Sequence, residues 1–294
     1  MAAENIRHWR VGDVEIARIV EVNAFEDNIS MLLKDETAEY VRQHAWLRPH
    51  FATPEGLMKI SFQAFVLRSR GKSVMIDTCI GADRKREYEV FCNLQTSFLT
   101  DLATAGFPAQ SIDAVLCTHL HFDHVGWNTR LVDGRWVPTF PQARYLFGKA
   151  EFEHWTHLRA TGGYHHFGHL EDAVDPVVAA GLVDYITPDY HLTDEVSLFP
   201  TPGHTPGHVS VLIRSRDQEA VITGDLMHHP IQLIDPGREA NFDMDKSQGA
   251  QTRQAFVDRF GGTSVLVIGS HFCDPTGGWI VRHGSGWKLI TDSA

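Results

Sequence analysis

Between residues 114 and 126 the chain reads AVLCTHLHFDHVG, so His119, His121, Asp123 and His124 fall within six positions directly after a short apolar run. Imidazole and carboxylate groups at this density suit a divalent cation, and their spacing makes physical sense. In an extended segment side chains alternate with period two, so His119 and His121 point the same way and can reach one ion. Asp123 and His124 lie past the bend and can reach a second. Three further apolar segments end in the same manner: VSLFPTPG before His204, AVITG before Asp225, and VLVIGS before His271. In α/β proteins, sites gather beyond the ends of buried strands, where loops hold side chains on a rigid base. One histidine at a strand end is ordinary. Four converging ends would present seven ligands: His119, His121, Asp123, His124, His204, Asp225 and His271. Asp225, with two oxygens, can bridge two ions, and His204 and His271 complete the two sets. Imidazole and carboxylate without thiolate suit zinc first, and also manganese, iron or cobalt.

The elements that must position these groups are legible as apolar runs. Val14 to Val20 reads as a strand after a turn at Gly12–Asp13, and residues 36–47 read as a helix. Ser61 to Leu67 and Ser73 to Ile76 form a hairpin about Arg70–Gly71. Residues 93–105 have helical spacing, and Ala114 to Cys117 is a buried strand. A turn at Asp133–Gly134, a strand at 144–147, and helices at 149–159 and around 171–180 follow. Strands at 209–213, 220–223 and 265–268, a helix at 246–260 and a closing hairpin in WIVRHGSGWKLI complete the reading. No linker or repeat divides the chain. It reads as one domain over residues 1–294, with an N-terminal extension to about residue 60 and an insert over about 127–195.

Bulk properties narrow the function. The 294 residues carry 26 basic and 37 acidic side chains, a net charge of −11. That balance disfavours a nucleic-acid partner and gives no polybasic patch for an anionic membrane. No apolar run is long enough to span a bilayer, and the N-terminus shows no secretory signal. The four cysteines form no CxxC pair and read as reduced thiols. A cytoplasmic location is expected.

With these motifs in hand, the chain resembles the metallo-β-lactamase superfamily. The resemblance rests on THLHFDH at 118–124, TPGHTPGH at 201–208, ITGDLMHHP at 222–230, GSH at 269–271, and IDT at 76–78. It spans roughly residues 60–294 and implies an α/β fold: an αββα sandwich of two facing mixed β-sheets with helices outside and metals at one edge. It also implies that His204 is a ligand and His208 is not. Asp225 stands where true β-lactamases place Cys or Ser, which argues against antibiotic hydrolysis. Neither the extra domains of the nuclease branches nor the C-terminal helical region of glyoxalase II-type enzymes is expected from these residues, and the first cluster is intact, unlike the flavodiiron branch. The lactonases and the methyl parathion hydrolase-like branch remain. Acyl-homoserine lactonases carry Tyr three residues after the bridging Asp; this chain has His228 there, which leans toward the methyl parathion hydrolase-like shape.

The expected activity is that of a binuclear metal-dependent hydrolase, in which a water shared by two ions about 3.5–4 Å apart attacks a small ester-like bond. A lactone is the first expectation, and an aryl ester or organophosphate is the alternative. A mononuclear-iron persulfide dioxygenase-like enzyme and a metal-binding regulator without turnover are the readings from other classes. Asp123 is expected to orient the attacking group or carry a proton, and His228 to contact the substrate oxygen. His229 is expected to be structural, and TGGYHHFGH at 161–169 to be a lid. Phe25, Met31, Leu32, Trp46, Phe51, Trp155, Tyr164 and Phe167 are candidates either for a pocket roof or for ordinary packing. The segment around 24–60 suits an arm that crosses to a partner subunit in a homodimer.

Overall fold

The structure, a computed structural model, describes residues 5–163 and 168–291. Two hairpins open the chain: β1 (Ile6–Val11) with β2 (Val14–Asp27), and β3 (Met58–Ser69) with β4 (Lys72–Ile76). Between them lies helix α1 (Ala38–Gln43). Helix α2 (Phe98–Thr104), β5 (Ala114–Cys117) and the one-turn helix α3 (Phe122–Val125) follow. β6 (Thr129–Val132) and β7 (Arg135–Pro138) make a separate hairpin about Asp133–Gly134. β8 (Arg144–Gly148), α4 (Lys149–Thr161), α5 (Asp175–Ala179) and β9 (Val183–Ile186) complete the first half. The second half holds β10 (Val196–Pro200), β11 (Val209–Ser215), β12 (Gln218–Ile222), α6 (Lys246–Phe260), β13 (Leu266–Ile268), β14 (Gly277–His283) and β15 (Gly286–Ile290).

The first sheet runs β1-β2-β3-β4-β5-β8-β9 and the second β10-β11-β12-β13-β14-β15. Both are mixed. The first is antiparallel as far as β4 and parallel from there on, and the second contains one parallel pair, β12 with β13.

Period-two alternation along the strands sorts their side chains into three apolar layers. Ile16, Phe65, Leu67, Val74, Ile76, Leu116 and Leu146 of the first sheet face Val211, Ile213, Ala220, Ile222 and Ile268 of the second. The alternate residues Ala64, Val66, Met75, Val115, Tyr145 and Phe147 point outward under α2 and α4. Leu212, Val221, Val267 and Ile280 point outward under α6, whose Phe256, Val257 and Phe260 are buried there. The result is the helix–sheet–sheet–helix sandwich anticipated from the sequence.

Several boundaries differ from the sequence reading. β1 is present where no strand was anticipated, because its charged, alternating IRHWRV lies on a sheet edge and lacks an apolar run. The helix expected over 36–47 stops at Gln43, where His44 (φ −103°, ψ 77°) leaves helical space, and a 3₁₀ turn follows. The helix expected over 93–105 begins only at Phe98, Asn93 being left-handed at φ +52°. The helix around 171–180 is a π turn (Leu170–Val174) running into α5, where Pro176 lacks the N–H that a regular ladder needs.

The N-terminal arm packs on its own chain. Ile29, Leu32, Val41, Leu47 and Phe51 are buried against the outer face of the second sheet, so they need no partner subunit for cover. Among the described residues no helix is long and apolar enough to cross a membrane.

Candidate metal centre

The seven side chains singled out in the sequence converge at one edge of the sandwich. β5 ends at Cys117, and the turn after it delivers His119 and His121, while α3 carries Asp123 and His124. The turn between β10 and β11 delivers His204, the 3₁₀ turn after β12 (Gly224–Leu226) delivers Asp225, and the turn after β13 delivers His271. Two sets of potential ligands result, His119–His121–His204–Asp225 and Asp123–His124–His271–Asp225, each with its ligand atoms within 4.8 Å of one another. In the first, His204 Nε2 lies 2.8 Å from His121 Nδ1 and 3.2 Å from His119 Nε2. In the second, His124 Nε2 lies 3.3 Å from His271 Nε2. Asp225 spans them: Oδ2 is 3.3 Å from His204 Nε2, and Oδ1 is 3.1 Å from both His124 Nε2 and His271 Nε2.

What stands behind each ring decides which nitrogen carries the proton. His271 Nδ1 donates to the Ser61 carbonyl at 2.9 Å, and His124 Nδ1 donates to Asp77 Oδ2 at 2.9 Å. The Thr118 hydroxyl donates to Asp77 Oδ2 at 2.9 Å, so it accepts from His119 Nδ1 at 3.1 Å. Each of these rings, when neutral, therefore turns an Nε2 lone pair inward. Asp225 Oδ1 is buried among them and accepts no hydrogen bond. With the rings neutral, lone pairs and a carboxylate pressed together in a buried site repel unless a cation lies between them, and nitrogen and oxygen donors in this number fit a zinc-type ion in each set.

The electrostatics follow from burial and from the shared carboxylate. Burial holds the imidazoles of His119, His121 and His204 well below the usual histidine range. Burial works the same way on His124 and His271, but Asp225, joined by Asp77 and Asp123 at His124 and by Asp123 at His271, outweighs it and raises both. Burial would lift the Asp225 carboxyl, yet the surrounding imidazoles, His124 and His271 first, pull it well below the carboxylate range.

His208 stands outside both sets. Its Nδ1 donates to the Thr201 carbonyl at 3.0 Å, and its Nε2 accepts from the Asp225 backbone N–H at 2.8 Å. Burial lowers its pKa to about 4, which keeps it the neutral acceptor that this contact requires. Gly224 is left-handed at φ +56°, and a Cβ there would sit 2.5 Å from His208 Nε2, so only glycine fits beneath Asp225. His229 caps the turn at Pro230, accepting from Ile231 N at 3.1 Å and donating to the Phe51 carbonyl at 2.6 Å.

His228 Nε2 lies 3.1 Å from Asp225 Oδ2, and its Nδ1 is buried without a hydrogen-bond partner among the described residues. It shares with His121, Asp123, His204, Asp225 and His271 the floor of an apolar cleft of about 230 Å³. Of the candidate roof residues, Phe25 and Met31 line this cleft. Leu32 and Phe51 are core instead, Trp46 packs against that core, and Trp155 is buried under the first sheet. Tyr164 and Phe167, and with them part of the 161–169 segment, lie outside the described residues. The remaining walls come from Asp27, Met58, Ile60, Phe62, Tyr88, Val90, Phe91, Phe122 and Phe242, and no described residue of 127–195 lines the cleft. The sequence reading missed the turn at 89–91, whose apolar pair Val90–Phe91 was its only signal. It also assigned no supporting role to Asp77 and Thr118, although both lie within the IDT and THLHFDH motifs, nor to Ser61 and Glu151.

Comparison with known proteins bears on the family and the fold. The family model described as "Metallo-beta-lactamase superfamily" matches residues 63–294. The chain belongs to the metallo-β-lactamase superfamily. A curated member, the N-acyl homoserine lactonase of Bacillus cereus, is 21% identical over 182 residues, covering 58% of this chain and 65% of that protein. The chain thus spans just under two thirds of that relative's length. A second N-acyl homoserine lactonase, from a Bacillus species, is 28% identical over 121 residues, covering 41% of this chain and 40% of that one. Among solved superfamily structures, the hydrolase AbOPH superposes with a TM-score of 0.78 at 21% identity over 99% of both chains. The dizinc quorum-quenching lactonase AidC superposes with a TM-score of 0.77 at 20% identity, over 99% of this chain and 98% of its own.

Proposed function

We propose that the protein is a binuclear metal-dependent hydrolase that cleaves a small, uncharged ester-like substrate, first of all a lactone. The observation that carries this reading is one carboxylate, Asp225, spanning two ligand sets on the floor of an apolar cleft. The resident cations would be two divalent ions, zinc first, held by His119, His121 and His204 on one side and by Asp123, His124 and His271 on the other. When bound, such a pair supplies Lewis acidity and makes water acidic enough to act near neutral pH.

The chain's own groups do the rest. Asp225 sets the separation of the two sets. Asp77, Thr118 and Ser61 hold the imidazoles with their lone pairs inward. Asp123, with 12% of its side chain exposed, faces the cleft and can hold a proton and return it to the leaving alcohol. His228 stands on the cleft floor, where its ring can donate to the substrate oxygen. The phenyl rings above the floor keep bulk water from the bond being broken.

Substrate charge is restricted by what the cleft lacks. Among its described lining residues there is no lysine or arginine to receive a carboxylate or phosphate monoester. A neutral lactone with an apolar chain meets that condition, in keeping with the relatives named N-acyl homoserine lactonase. A second reading, aryl ester or neutral organophosphate hydrolysis, is favoured by the aromatic wall of Phe25, Phe62, Phe91, Phe122 and Phe242, which suits an aryl leaving group. The four cysteines, all free thiols, suit a reducing compartment, so a cytoplasmic location belongs to the proposal. So does a homodimer; a single-chain mass in light scattering rejects it.

The test is a hydrolysis screen of metal-loaded protein against short- and long-chain lactones, aryl esters and methyl parathion. Turnover of lactones, with both metal content and turnover lost in Asp225→Ala, is expected. His228→Ala is expected to keep both ions while changing rate or preference. One iron per chain with oxygen consumption would overturn the hydrolase reading.

A further inference from the structure

We propose that Glu151 is a positioning residue that holds the imidazole set His119, His121 and His204 in register, and through it one of the two cation sites. The inference rests on the binuclear reading above. Glu151 is the third residue of α4, in the run KAEFEHW, where a glutamate would ordinarily face solvent; here it is 1% exposed.

Its carboxylate is directed at the metal loops. Oε1 accepts from the backbone N–H of Leu120 at 3.1 Å, and Leu120 is the residue between His119 and His121. Oε2 accepts from the backbone N–H of Gly207 at 3.0 Å, three residues beyond His204 in the turn before β11. Oε1 also accepts from Trp155 Nε1 at 2.7 Å, and the Trp155 ring stands edge-on to His121 with centroids 5.3 Å apart. One side chain thus touches both loops that carry the three imidazoles and steadies the ring that backs one of them.

Gly207 shows how closely the parts are fitted. A Cβ there would lie 2.5 Å from the Glu151 backbone nitrogen and 2.6 Å from its Cβ, so the second glycine of TPGHTPGH is what lets the loop seat on the start of α4. The other ligand set is supported by different groups, Asp77 behind His124 and the Ser61 carbonyl behind His271. Asp77 reaches both sets, His124 directly and His119 through the Thr118 hydroxyl, whereas Glu151 touches only the loops of the first set, so damage to Glu151 falls on one of them. Charged acceptors bind N–H groups strongly, and groups supporting metal ligands typically change metal affinity about 10–100-fold when lost.

The decisive variant is Glu151→Gln, which keeps the shape but turns an NH₂ toward one of the N–H donors. Wild type and variant, both loaded with Co²⁺ or Zn²⁺, are titrated with a chelator while metal per chain and the Co²⁺ visible spectrum are followed. Expected is loss of one equivalent from Glu151→Gln at chelator levels where wild type keeps two, an affinity change of about 10–100-fold confined to that site. Trp155→Phe, which removes one donor and keeps a ring, is expected to give the same selectivity with a smaller loss, and it carries the test should Glu151→Gln fail to fold. Two unchanged sites in both variants, or equal weakening of both sites, would overturn the proposal. A wild-type protein that takes up one ion or none would instead overturn the binuclear reading beneath it.

Discussion

At the scale of single residues, the groups behind the imidazoles decide what the imidazoles can do. Asp77 takes three donors at once, the Thr118 N–H at 2.7 Å, the Thr118 hydroxyl and His124 Nδ1 at 2.9 Å each. Asparagine at 77 would point an NH₂ at one of these donors and loosen the His124 ring. Asp77→Asn is therefore expected to weaken the His124–His271 site by about 10–100-fold, read by chelator competition; an unchanged affinity there removes Asp77 from the account. His229 gives a pH prediction. Burial lowers its pKa to about 4, whereas the unfolded chain titrates near 6.5. Between those values the unfolded state binds the extra proton, so stability is full above the upper value and is lost as pH falls toward the lower one, by roughly 3 kcal/mol at most. His229→Asn should reduce the pH slope of the urea midpoint in this window by about one proton. The candidate ligands were legible because they come as motifs. Their supports were not: Ser61 acts through its carbonyl and Glu151 from a helix where glutamate is commonplace, and neither leaves a mark in the letters.

At the scale of elements, apolar runs gave away the strands beneath the site, and Lys246–Phe260 was legible to the residue because its ends coincide with Asp245 as cap and Gly261 as stop. Phe256→Ala in this helix removes a buried ring from the outer face of the second sheet and is expected to cost about 3–5 kcal/mol in urea unfolding. Loss below about 1 kcal/mol would mean that α6 packs otherwise. The cleft walls were harder to read. Sequence irregularity drew attention to 127–195, while the described walls come from the end of β2, the start of β3 and the turn at 89–91. The register shifts of β2 against β3 at Val20/Val22 and Val22/Phe25 bend that strand pair and carry Phe25 and Asp27 to the cleft. A bend of this kind comes from pairing between distant strands, which no local pattern announces.

At the scale of the whole molecule, the two sheets contribute unequal halves of one cage. His119, His121, Asp123 and His124 follow a strand of the first sheet, and His204, Asp225 and His271 follow strands of the second. Ions that bind only the assembled cage stabilise it by mass action, about 2.7 kcal/mol per site at a free concentration one hundred times Kd. Chelator-treated protein is expected to melt at a lower temperature than the loaded form and to regain the difference on adding Zn²⁺; equal melting temperatures would mean that the sheets meet without help from the ions. The order of these ligands along the chain bears on how the protein is made. As the polypeptide leaves the ribosome, His119 to His124 emerge well ahead of Asp225 and His271. A nascent chain that still lacks Asp225 and His271 would offer only an incomplete nest to a passing ion, so loading would follow the appearance of His271.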